Sequence, residues 1–76
     1  MIREFSEYYI NIGLKVSYFR KRAGLTQEQL AEKMGVGTSY IGQIEAPHIV
    51  KAISLDTLFW IAKALGVPPH KFLEMD

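Results

Sequence analysis

A chain of 76 residues with nine Lys+Arg, eight Asp+Glu and no cysteine leaves room for one small domain. It can build neither a disulfide framework nor a thiolate metal site, which points to a reducing, cytoplasmic setting. A net charge of +1 with 49% hydrophobic content describes a folded domain, and any polyanion must be recognised by a local patch rather than by bulk charge. Met1 to Phe5 hold no apolar signal region. The longest apolar run, Leu58 to Ala62, is far below the ~20 residues that span a bilayer, so no membrane partner is expected.

Glycine, proline and capping residues divide the chain into five short helical segments, and no segment has the alternation of a strand. Ile12, Val16, Phe19 and Ala23 form an apolar stripe on a first helix, closed by Gly24. Thr26 followed by Gln29 is a capping box, which opens a second helix through Met34 with Leu30, Ala31 and Met34 facing inward. Gly35 ends it. Gly37 or Thr38 caps a third helix to Glu45, with Ile41 and Ile44 toward the core. Ser54, with Asp56 in the first turn, caps a fourth helix bearing Leu55, Leu58, Ile61, Ala62 and Leu65, and Gly66 stops it. Pro68-Pro69 fits the start of a fifth helix holding Phe72 and Leu73. The fold class is therefore all-α: a compact five-helix domain over residues 12–76, preceded by an N-terminal extension over residues 1–11.

Residues 26–34 and 38–45 are each too short to persist alone, because isolated helices under ~12–15 residues are marginal in water. Packed together through a glycine-led turn, with Ala31 permitting close crossing and Ile41 filling the angle, they satisfy the requirements of a helix-turn-helix over about residues 26–45. The run from Arg20 to Ala31, then Gly35-Val36, then Tyr40 to Glu45, resembles the Cro/CI-type (XRE-like) helix-turn-helix regulators. Leu58 to Val67 is similar to the fourth helix of that family, and the likeness extends over roughly residues 12–73. It implies a lambda-repressor-like fold that binds double-stranded DNA.

Carried over position by position, the resemblance places Thr38, Ser39 and Gln43 against base edges. Their chemistry suits that role, since Gln can bond adenine bidentately and hydroxyls can bond either base of a pair. The bland alternative makes Thr38 and Ser39 caps and Gln43 a solvated side chain. Gln27 matches a phosphate-clamping position at a helix N-terminus. Tyr40 matches another, with a half-buried packing role as its alternative. Arg20 and Glu45 match an architectural ion pair.

The chain departs from the family pattern after Glu45. The segment 46–53 is unusually apolar (Ile49, Val50, Ile53), and Lys51 is its only firm cation for phosphate. His48 adds charge only when protonated. The third helix has neither Arg nor Lys. Gly42 within it is open to two readings, close approach to DNA or a packing compromise. Ile10, Leu14 and Tyr18 form a second stripe on the first helix, offset from the core set, and Phe5, Tyr8 and Tyr9 add further apolar surface. Either the extension covers Trp60 within one molecule, or Phe59, Trp60, Phe72 and Leu73 belong to a homodimer interface.

His48 and His70 have neither paired carboxylates nor metal-ligand spacing around them, so neither catalysis nor a cofactor is expected, and no small-molecule ligand is evident. The expected function is sequence-specific repression of transcription by a homodimer on a palindromic operator. The rival is a protein-interaction module of the same fold, antitoxin-like or anti-repressor. Salt separates them, because phosphate contacts weaken steeply with salt and an apolar interface does not.

Overall fold

The computed structural model describes residues 4–75; residues 1–3 of the expected extension and Asp76 lie outside the described set. Among the described residues the regular structure is entirely helical. It comprises α1 (Ser6–Arg22), α2 (Gln27–Met34), α3 (Thr38–Glu45), α4 (Leu55–Leu65) and a 3-10 turn over Pro69–Leu73. The expected fifth α-helix is thus corrected to a 3-10 turn, and the domain has four α-helices. The reason is local: the two prolines at 68 and 69 supply no backbone N–H, and the Lys71 N–H bonds three residues back, to the Pro68 carbonyl at 3.1 Å.

The caps fall where side-chain chemistry directs. Thr26 Oγ1 accepts from the Gln29 N–H at 3.1 Å while Gln29 Oε1 accepts from the Thr26 N–H at 2.8 Å, completing the capping box. Ser54 Oγ accepts from the Thr57 N–H at 3.1 Å and caps α4. Gly37, not Thr38, is the N-cap of α3, and no side chain bonds there. Gly35 ends α2 at φ 70°, a left-handed conformation that a Cβ would strain, and this lets the Val36 N–H reach back to the Ala31 carbonyl.

Val16, Leu30, Ile41, Ile61 and Phe72 are the large fully buried side chains, one from each of the five elements. Each such burial stabilises the domain by about 1.5–3 kcal/mol, and together they hold α2 and α3 in the helical state neither keeps alone. Two stripe positions differ from expectation. Ala23 is the exposed C-cap of α1, and Leu55, the first residue of α4, is 63% exposed and lines a surface groove. Helix α1 also runs unbroken across residues 11 and 12, with Tyr9 packed on the core, so the extension from Ser6 onward is helix continuous with the body.

Helices α1 and α3 approach closely at Gly13. A Cβ built on Gly13 would collide with the Ile44 backbone carbonyl oxygen and sit 3.1 Å from its carbonyl carbon. Gly13 therefore sets how closely α3 can lie against α1.

Candidate nucleic-acid interface

Helix α3 is buried along one side by Ile41, Ile44 and Glu45. Ser39 and Gln43, four residues apart, lie on roughly the opposite side, with Thr38 at its N-terminal end. All three are exposed, and none has a side-chain hydrogen bond among the described residues. The capping alternative for Thr38 and Ser39 is removed by the absence of any side-chain bond at this cap. What remains is a row of uncommitted donors and acceptors on a helix anchored only from behind.

The anchor is an ion-pair network. Arg20 Nε donates to Glu45 Oε2 at 2.7 Å and Arg20 Nη2 donates to Glu45 Oε1 at 2.9 Å, a bidentate pair with both side chains buried. Arg20 Nη1 donates to the Leu25 carbonyl at 2.7 Å. Gln27 Nε2 donates to Glu45 Oε1 at 3.1 Å. The Glu45 carboxylate thereby joins the end of α1 and the first residue of α2 to the last residue of α3, and Arg20 extends the network to the connection into α2. The Glu45 hydrogen bond raises the Arg20 pKa above its usual value, outweighing desolvation, which acts the other way. With the folded pKa raised, the stabilisation from Arg20 ionisation is complete below the unfolded arginine value and is lost only as pH rises through the folded one.

The network also places Gln27. One N–H of its carboxamide is committed to Glu45, and its Oε1 stands 3.6 Å from where a Gly42 Cβ would lie, an ordinary contact. Packing within the chain therefore does not require glycine at 42. The start of α2 and the middle of α3 are held side by side.

Tyr40 and Lys51, expected separately as phosphate contacts, come together: Lys51 Nζ lies 5.4 Å from the centroid of the Tyr40 ring. The half-buried Tyr40 packs against the core, and its hydroxyl is 3.5 Å from Thr57 Oγ1 in the first turn of α4. The packing role of Tyr40 is thus present, with the Lys51 ammonium over its ring. Lys51 belongs to an otherwise apolar connection from which Ile53 packs on the core.

The expected apolar interface needs one correction. Phe72 is fully buried, edge-on to Phe19 with centroids 5.2 Å apart, because the 3-10 turn folds back on α1. It cannot meet another molecule. Phe59, Trp60 and Leu73 remain about half exposed. The described N-terminal residues do not cover Trp60: Phe5 and Tyr8 stack on each other at 5.8 Å and line a groove with Leu55 and Leu73 instead. Trp60 has Lys63 Nζ 5.2 Å from its ring centroid.

Sequence reasoning missed Gly13 and the Leu25 carbonyl. A glycine inside the first helix, beside Ile12 on its core face, was a readable sign of close packing. A main-chain acceptor leaves no residue-type signal.

Comparison with known proteins accords with this geometry. A helix-turn-helix family model matches residues 16–72. The chain belongs to the XRE-type helix-turn-helix family of DNA-binding transcription regulators. It is 40% identical over 58 residues to the control protein C.SmaI of Serratia marcescens, the match covering 76% of this chain and 67% of that protein. Identity is also 40% over 58 residues with the immunity repressor protein of Bacillus phage phi105, a match spanning 39% of the phage protein's length. Among solved structures, the restriction-modification controller protein C.AhdI from Aeromonas hydrophila superposes with a TM-score of 0.82 at 28% identity, over 91% of this chain and 97% of that one. SinR, a master regulator for biofilm formation solved in complex with DNA, superposes with a TM-score of 0.76 at 33% identity, over 83% of this chain and 98% of that one.

Proposed function

We propose that this chain is a transcriptional repressor that reads a palindromic DNA operator as a homodimer, inserting α3 in the major groove. The observation that carries the reading is the exposed, hydrogen-bond-free row of Thr38, Ser39 and Gln43 on a helix fixed from behind by the Arg20–Glu45–Gln27 network. These side chains supply base contacts, while Gln27, Tyr40 and Lys51 supply phosphate contacts that set register.

A second copy meets two needs. Each subunit brings few cations to the groove, so one module alone binds weakly, whereas a two-fold pair places two recognition helices about 34 Å apart on successive major-groove faces. Phe59, Trp60 and Leu73, each about half exposed, supply the apolar surface for self-association, and Leu55, Phe5 and Tyr8 line an exposed groove with Leu73.

The test is selection from a random double-stranded pool, with the wild type run beside a Ser39→Ala, Gln43→Ala double variant. A palindromic motif that the variant loses or relaxes supports the reading. Uniform binding without a motif overturns it and returns attention to the protein-interaction alternative.

A further inference from the structure

Helix α4 carries a second stripe that the core does not use. Leu58, Ile61 and Ala62 are buried, and Asp56, Phe59, Trp60 and Lys63 occupy the opposite side. All four are exposed, at the i, i+3, i+4 and i+7 spacing of a helix-packing seam. Two aromatic rings, each about half exposed, stand at its centre, with a carboxylate at the N-terminal end and an ammonium at the C-terminal end. Among the described residues neither Asp56 nor Lys63 makes an ion pair, and Lys63 Nζ lies 5.2 Å from the centroid of the Trp60 ring.

The order of these residues is its own complement. A two-fold axis crossing α4 between residues 59 and 60 sets Asp56 opposite the partner's Lys63, and Phe59 opposite the partner's Trp60. That axis runs the two helices antiparallel, so their macrodipoles also oppose. Parallel alignment would set Asp56 on Asp56 and Lys63 on Lys63, like charge against like. An isologous contact of this kind needs a single patch, used by both copies. The groove among Phe5, Tyr8, Leu55 and Leu73 has no charged side chain in its lining among the described residues, so no charge there fixes a direction of pairing.

We propose that α4 pairs with α4 of a second copy, antiparallel about an axis between Phe59 and Trp60, with an Asp56–Lys63 ion pair closing each end of an aromatic seam. The inference rests on the homodimer of the proposed function and adds to it the axis, the direction and the charges by which one chain selects another of its kind. The aromatic contacts supply the adhesion. The charges choose orientation and partner, because any other alignment leaves them unmatched.

Charge exchange tests this by sedimentation velocity on the full chain. The wild type is expected to sediment as a concentration-dependent dimer. Asp56→Lys alone sets Lys against Lys, and Lys63→Asp alone sets Asp against Asp, so each should weaken self-association at least tenfold. An equimolar mixture of the two single variants should form a heterodimer about as tight as the wild-type dimer, since both end pairs are complementary again, and the double variant should recover the homodimer. Should Asp56→Lys melt early, a second measurement needs no variant. Trp60 is the sole tryptophan, so its emission should move to longer wavelength as the wild type is diluted from dimer to monomer. A wild-type dimer whose affinity both single variants leave unchanged, or whose Trp60 emission stays fixed on dilution, overturns the inference and leaves the homodimer on another face. A wild type that sediments as a monomer at every concentration overturns it as well; if it also binds its selected duplex as a monomer, the homodimer reading falls with it.

Discussion

Replacing Gly13 by alanine tests the packing that positions α3. In an unconstrained helix, Gly→Ala stabilises by about 0.8–1 kcal/mol, so propensity alone predicts a gain. The added Cβ, however, would collide with the Ile44 carbonyl oxygen and crowd the Glu45 Cα at 3.6 Å. These are backbone atoms and cannot rotate aside. Relief requires α1 and α3 to separate, which loosens the fit around Val16 and Ile41. Overpacking of this kind costs about 1–3 kcal/mol or more. With a backbone obstacle the upper end applies, so after the propensity gain a net loss of roughly 2 kcal/mol is expected. Against a total of about 4–11 kcal/mol for a chain of this length, that loss is readily measured by urea denaturation. Gly42→Ala is the matched control. Its Cβ meets only Gln27 Oε1 at 3.6 Å, so it should stabilise by up to about 1 kcal/mol. Opposite signs for the same substitution in two helices support the reasoning, whereas a Gly13→Ala protein as stable as wild type refutes it.

Glu45→Ala strands a buried guanidinium and should cost about 3–5 kcal/mol by denaturant unfolding. An Arg20→Met, Glu45→Met pair should recover much of that loss, because no charge is then left buried. Thr26→Ala removes the hydroxyl acceptor of the capping box and should cost about 1 kcal/mol in the same assay. Lys51→Ala should weaken binding to all duplexes alike and reduce the slope of log affinity against log salt by about 0.9 per protomer, the signature of one lost phosphate contact.

The parts of the fold that were legible in the sequence are those with local chemical causes. The capping box at Thr26 and Gln29 and the Ser54 cap name their hydrogen bonds by residue type and spacing, and the structure contains those bonds. The Arg20–Glu45 pair followed from family position and is present in bidentate form. Features set by tertiary geometry were less readable. Phe72 belongs to the core because the last turn folds back on α1, and an apolar residue beside the equally apolar but half-exposed Leu73 gives no sign of which one is covered. Leu55 fits the helical period of α4, yet as the first residue of the helix it stays largely in solvent. The pairing of Tyr40 with Lys51 joins residues eleven positions apart through an irregular connection, where no periodicity operates. The Arg22–Tyr18 contact is four residues apart on α1 and could have been anticipated from helical spacing.

The most direct test of the account is amide chemical-shift mapping of the full chain, titrated with the duplex that emerges from selection. The account predicts the largest changes at Thr38, Ser39 and Gln43, with further changes at Gln27 and Lys51. A duplex that binds while the amides of α3 stay unmoved would contradict it.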